Sequence, residues 1–334
     1  MDQATKHGEK IAIYAHGGLN SRDSGVKRAQ ILGPWLVTNK IRPIFVVWQT
    51  GFMESASDIL RTVLTRQTPE EQPKRVEGWV LDLWDEQRDR GFEVFARDFG
   101  VKAIWENIKS RADLASSKGG GMNILAMALA DAFSQLKRKD IPELHLLGHS
   151  AGAIMHGKFI AAASRAKLTP KTIQLWAPAC TVDFALQTYG KVVGRGGPQI
   201  FVSLLADTSE KSDGSLGSVY SKSLLYLVSR ALEPDHKTPI LGMQKVWTGT
   251  NKSDDTFSRA HHKAIETWRA KSGAVTLLPP ITGKEVPTRR MGSKVETIPA
   301  DHGSFDNNLN VVNGAIELIL GKPPISPVTD LKGL

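Results

Sequence analysis

Glu143-Leu144-His145-Leu146-Leu147-Gly148-His149-Ser150-Ala151-Gly152 runs straight into Ala153–Ala166. The first five residues form a short apolar run of the kind that makes a buried strand. The last fourteen place Ile154, Met155, Phe159 and Ile160 on one side of a helix. Between them sits Gly148-His149-Ser150-Ala151-Gly152, a G-x-S-x-G pentapeptide. The string alone arises readily by chance, but strand, sharp turn and helix are the surroundings that give it meaning. Such a turn forces its serine into a strained backbone region, so small neighbours are required. Gly148 and Gly152 would let the strand and helix backbones come close. The serine hydroxyl would then stand at the C-terminal edge of the strand. Free N–H groups and the positive end of the helix dipole would face it.

Outward from this turn, further apolar runs read as buried parallel strands: Lys10–Ala15, Pro43–Trp48, Thr172–Trp176, Ile200–Leu205 and Lys294–Ile298. They alternate with helical patterns, which predicts an α/β fold: a mostly parallel sheet with helices on both faces. About ninety residues separate the second strand from Glu143, far more than one crossover helix needs. Within them, Glu54–Ser117 reads as several amphipathic helices. Trp79, Leu83 and Trp84, then Phe92, Phe95 and Phe99, then Ile104, Trp105 and Ile108, fall at helical spacing. The block leaves the sheet at a strand end, where α/β ligand sites lie, and is expected to form a partial cap within a single domain spanning 1–334. Ser116–Gly121 reads as a joint or a helix start, followed by a helix over Met122–Leu136.

A serine nucleophile needs a base, and the base an orienting acid. His302 follows the Lys294–Ile298 run and precedes a helix over Asn308–Leu320, so its loop can swing over the sheet edge toward Ser150. His261 and His262 fall in a helical pattern over Asp254–Lys271 and read as surface; His156 reads as local packing. For the acid, Asp207 closes the Ile200–Leu205 strand region; Asp183, Glu210 and Asp213 compete with it. An oxyanion hole needs two backbone donors. Ala151, directly after the serine, would supply one. Gly17 and Gly18, in the loop after Lys10–Ala15, would supply the other.

With His16-Gly17-Gly18, the Gly148–Gly152 elbow, and Asp207 and His302 in that order, the chain resembles the esterase and lipase-like branches of the α/β-hydrolase superfamily from about residue 10 to 320. The resemblance implies an α/β-hydrolase fold with a helical insertion at 54–117. It implies ester hydrolysis through an acyl-enzyme on Ser150, with His302 as base, Asp207 as acid and Gly17, Gly18 and Ala151 around the oxyanion. Amide or thioester hydrolysis by the same residues, or a binding protein that kept the fold without the reaction, are the alternatives. The chain departs from the family in having almost nothing before Ile11, where one or two further strands are usual.

Composition narrows the field. The 334 residues are 41% hydrophobic and 23% charged, an ordinary globular balance. No unbroken apolar stretch is long enough for a membrane span. The polar start and the single cysteine, Cys180, suit a cytoplasmic protein without disulfides. A net charge of +9 comes from scattered cations, densest only at Lys137-Arg138-Lys139. Nucleic acid is therefore not expected as a partner, while weak association with anionic membrane is a lesser expectation. The expected partner is an acyl ester, small or lipid-like. No metal or cofactor motif is present: there is no phosphate-binding loop and no H-E-x-x-H, and Gly194-Arg195-Gly196-Gly197 lacks the dinucleotide pattern.

Overall fold

A computed structural model describes residues 9–18, 22–48, 78–98, 101–194, 196–213, 220–249 and 255–334. Its centre is a sheet of six strands: β1 (Lys10–Ala15), β2 (Ile41–Val46), β3 (Glu143–His149), β4 (Thr172–Trp176), β5 (Gln199–Ser203) and β6 (Val275–Leu277). Their order is β2-β1-β3-β4-β5-β6, and every neighbouring pair is parallel. β3 and β4 are buried almost end to end, as continuous apolar runs covered on both faces should be. The longer helices are α1 (Arg22–Thr38), α2 (Gly78–Asp98), α3 (Val101–Ser116), α4 (Gly121–Ser134), α5 (Gly152–Arg165), α6 (His262–Lys271) and α7 (Leu309–Leu320).

The order contains one reversal that matters. The chain leaves β1 for β2 on one side, then returns past β1 to lay β3 on its other side. Loops after β1 and β3 therefore stand side by side at the C-terminal edge of the sheet, the edge where open α/β sheets bind ligands. His16-Gly17-Gly18 follows β1, and Ser150 follows β3, so both stand at that edge.

One expected strand is corrected, and one strand and one helix were not expected. The run Lys294–Ile298 is not part of the main sheet. It belongs to strand β8 (Lys294–Pro299), which pairs antiparallel with β7 (Glu285–Met291) around a turn at Gly292. Its exposed and half-buried residues fit an alternating, partly solvated strand rather than a buried one. The sixth place in the sheet falls instead to β6, whose three residues are too few to make a sequence signal. Helix α1 was not anticipated, because Gly25, Arg28 and Gly33 share its buried face with Leu32 and Leu36 and break the apolar stripe.

Of the 54–117 insertion, residues 54–77 and the side chains of Trp79, Leu83, Trp84, Phe95 and Phe99 lie outside what is described. Phe92, Trp105 and Ile108 are buried, as their spacing predicts. Helix α3 packs against α5, so the insertion shares the sheet's core. Its outer face is clamped to residues 220–233. Asp89 accepts from the Ser221 N–H and hydroxyl and from Lys222, Glu93 accepts from Tyr220 at 2.8 Å, and Glu233 accepts from Trp105 at 2.6 Å and Lys109 at 3.0 Å. The Ser116–Gly121 stretch makes a tight turn into α4. Gly119 takes φ 83°, and a Cβ at Gly120 would lie 2.1 Å from the Leu114 carbonyl oxygen. None of the described helices is long and apolar enough to cross a membrane.

Candidate active site

The turn after β3 is as sharp as its residue types allow. Ser150 has φ 53°, in the left-handed region that non-glycine residues avoid. The strain is held from several sides. The Ser150 N–H donates to Trp176 O at 2.8 Å, and its carbonyl accepts from Ala153 and Ala179, each at 3.1 Å. Glycine is obligatory on either side. A Cβ at Gly152 would lie 2.0 Å from the Ala15 carbonyl oxygen, and one at Gly148 would lie 2.9 Å from the His156 ring. The close approach of β1, β3 and α5 therefore fixes where the serine stands.

His302 meets it. Its Nε2 lies 2.8 Å from Ser150 Oγ, and both residues are 2% exposed. Burial, then the charge of His149, lower the His302 pKa to about 3, against an opposing pull from Asp306. The imidazole is therefore neutral at ordinary pH, with Nε2 able to accept the serine proton. His302 Nδ1, the atom an acid would hold, makes no hydrogen bond among the described residues.

Asp207 does not reach His302. It opens a helical turn, Asp207–Glu210, just after β5. One carboxylate oxygen accepts from the Tyr226 hydroxyl at 2.6 Å, and the other pairs with Lys211 at 2.8 Å. The carboxylate bonded to the base's own residue is Asp213. It is 2% exposed, and its Oδ2 accepts the His302 backbone N–H at 2.7 Å. The remaining candidates are placed otherwise. Glu210 is buried and pushed well above the usual carboxyl range by that burial, and it accepts from Ser223. Asp183 lies 3.7 Å from His261, away from the serine. Asp301 has its pKa raised to about 6 by burial and then by the charge of Asp213.

The loop after β1 is set by His16. The Trp48 N–H donates to His16 Nε2 at 3.3 Å, so the ring's proton is on Nδ1, which donates to Gly17 O at 2.8 Å. Burial lowers the His16 pKa to about 4, which keeps it neutral. In a trans peptide the N–H points opposite to the C=O, so turning Gly17 O toward His16 turns the Gly18 N–H away from it. Gly18 lies directly against Ala151: a Cβ there would be 3.1 Å from that of Ala151 and 3.0 Å from Ile108. Ala151 is the N-cap of α5, where backbone N–H groups lack helical partners. Gly17, Gly18 and Ala151 thus come together beside Ser150.

The residues that sequence reasoning missed are Tyr14, Arg28, Trp48, His149 and Asp306: Trp48 bonds His16 O, His149 bonds His302 O, and Tyr14 and Arg28 donate to Asp306. His149 stands inside the pentapeptide, and its position was the one available signal. Among the described residues no three His, Cys, Asp or Glu side chains are arranged to hold a metal ion. Cys180 is buried, with its thiol pushed up by that burial. No family model matches the chain, and no curated protein matches it in sequence.

Proposed function

We propose that this protein is a serine hydrolase of the α/β-hydrolase type that cleaves carboxylic esters. The observation that carries the reading is the 2.8 Å contact between His302 Nε2 and the hydroxyl of a serine strained at φ 53° on a strand-to-helix turn. A serine is rarely held so without a use for it. The strand order supports the same reading, because it brings the elbow and the glycine loop to one edge.

In this mechanism Ser150 Oγ attacks the ester carbonyl carbon while its proton passes to His302 Nε2. The Gly18 and Ala151 N–H groups stabilise the oxyanion. The tetrahedral intermediate collapses, the C–O bond to the alcohol breaks, and His302 returns the proton to the leaving oxygen. Water then attacks the acyl-enzyme by the same route and frees the acid. Asp213, rather than Asp207, is the carboxylate that would hold the His302 loop, through the His302 backbone N–H and not through the ring. Ile108 of α3 lies against Gly18, and the helical insertion would select the acyl group, with amides and thioesters the competing substrates.

The test is labelling by a fluorophosphonate probe, followed by hydrolysis of p-nitrophenyl esters of different chain length. Ser150→Ala should abolish both. Asp213→Asn should slow labelling about a hundredfold or more, and Asp207→Asn far less. Full esterase activity in Ser150→Ala, or an unlabelled Ser150 in active protein, would end this reading.

A further inference from the structure

Asp306 lies four residues after His302, in the helical turn Phe305–Asn307, and is wholly buried. Three separate parts of the chain converge on it. The Tyr14 hydroxyl, from the strand that leads into the glycine loop, donates to Asp306 Oδ2 at 2.8 Å. Arg28 Nε, from α1 just beyond that loop, donates to the same oxygen. His149 Nδ1, from the elbow itself, stands 3.6 Å from it. His149 then closes the circuit. Its Nε2 donates to the His302 carbonyl oxygen at 2.9 Å, and its ring packs against His302 and Phe305 with centroids 5.6 and 5.9 Å apart.

We propose that the buried Asp306–Arg28 pair is a positioning device for the base, joining the glycine-loop strand, the nucleophile elbow and the His302 loop at one carboxylate. The proposal rests on the serine-hydrolase reading and extends it to residues that touch no substrate. Its physical ground is an imbalance. A buried ion pair contributes little net stability compared with apolar groups of the same size, because both charges lose their water. This pair sits where β1, the elbow and the base loop meet. A carboxylate accepting from Tyr14 and Arg28 fixes direction as well as distance, which apolar packing does not. His149, with Nδ1 3.6 Å from that carboxylate and Nε2 bonded to His302 O, links the two by close contact rather than by a continuous hydrogen-bonded chain. Arg28, and after it His149, hold Asp306 ionised against the burial that would raise its pKa. The negative charge also acts on His302, favouring its protonated form, while Asp213 accepts the His302 backbone N–H.

The decisive variants replace the pair with apolar residues of similar size, Arg28→Met with Asp306→Leu, in the full chain. Arg28→Lys keeps the charge, and His149→Met removes only the link to His302. Two readouts are taken on folded protein, judged by near-UV circular dichroism. One is the rate of fluorophosphonate labelling at Ser150 across pH 5–9, with kcat and KM for a p-nitrophenyl ester. The other is the imidazole nitrogen spectrum of His302 in nitrogen-15-labelled protein, which reports its hydrogen bond to Ser150. The double variant and His149→Met should label about a hundredfold more slowly, with kcat reduced and KM nearly unchanged. The acid limb of the labelling profile should move, and the His302 signal should leave its hydrogen-bonded position. Arg28→Lys should restore most of the rate. Folded variants that label at the wild-type rate with an unmoved His302 signal would overturn the proposal. Wild-type protein that ignores the probe would sink the hydrolase reading instead, and the His302 spectrum would still decide whether Asp306 positions the ring. If the double variant fails to fold, His149→Met carries the same two outcomes.

Discussion

Acid should unfold this protein well above the pH at which carboxylates protonate, and histidine is the reason. His16, His145, His156 and His302 are each no more than 2% exposed. Burial is the largest cause in every case, lowering the first three to about 4 and His302 to about 3. An unfolded chain returns each to its ordinary value near 6.5. The unfolded state therefore binds more protons than the folded state below that pH, and stability must fall as pH falls through the interval from about 6.5 to about 4. At pH 5 a histidine shifted from 6.5 to about 4 loses about 2 kcal/mol, so four of them lose about 8 kcal/mol. Two groups oppose this. Asp301, raised to about 6, costs stability at neutral pH and returns about 1 kcal/mol by pH 5; Glu210, raised by burial, acts in the same direction. The lowered carboxylates Asp306 and Glu143 keep their contribution until the pH drops below their ordinary range. A net loss of about 7 kcal/mol, less whatever Glu210 returns, is comparable with the whole stability of an ordinary domain. Urea unfolding at pH 8, 7, 6 and 5 measures it, with the steepest fall between 6.5 and 5. Replacing His145 or His156 with Gln should remove about one proton from that slope, whatever it does to stability at pH 8. An unfolding free energy that changes by less than about 1 kcal/mol from pH 7 to pH 5 would refute the reasoning.

Two further outcomes follow from close contacts and from burial. Gly152→Ala should cost more than about 3 kcal/mol, or leave no folded protein, because its Cβ would lie 2.0 Å from the Ala15 carbonyl oxygen. Gly314→Ala, in the middle of α7 with nothing within 4 Å of the added carbon, should instead raise stability by about 1 kcal/mol; thermal unfolding of the two variants reads the contrast. Cys180 should ignore a disulfide reagent in folded protein and react fully in denaturant, because its thiol is buried and its thiolate is disfavoured.

The strands that decide the fold were legible because they are buried on both faces. β1 and β4 have the limits their apolar runs predict, and β3 and β5 differ only at their ends. β2 begins two residues earlier than its run suggested, since pairing with β1 starts at Lys10 and Ile41. What escaped was whatever breaks the apolar rule for a local reason. Arg28 occupies a core place on α1 because Asp306 neutralises it, and no periodicity can show a partner 278 residues away. β6 joins the sheet through three residues, held by the edge of β5 rather than by its own pattern. The Lys294–Ile298 run has strand propensity, but it satisfies its backbone against β7, and only that partner tells a hairpin from a sheet strand.

The acid shows the same division within the site. Ser150 and His302 could be named from local context, a strand-turn-helix and a loop before a final helix. Asp207, Glu210 and Asp213 lie within seven residues of one another, and chain position ranks the one nearest the strand first. Side-chain partners rank them differently. Tyr226 and Lys211 satisfy Asp207, Ser223 donates to Glu210, and Asp213 accepts the His302 N–H. Each of those partners except Lys211 lies more than ten residues beyond its carboxylate, on chain that returns only in the folded state. A carboxylate is costly to bury without hydrogen bonds, so the partners decide which acid can remain ionised and where. That is why the Ser150–His302 contact can be anticipated from a pentapeptide and a loop while the carboxylate beside His302 cannot, and why, on the proposed reading, exchanging Asp207 and Asp213 for asparagine separates a rule of chain position from a rule of contact.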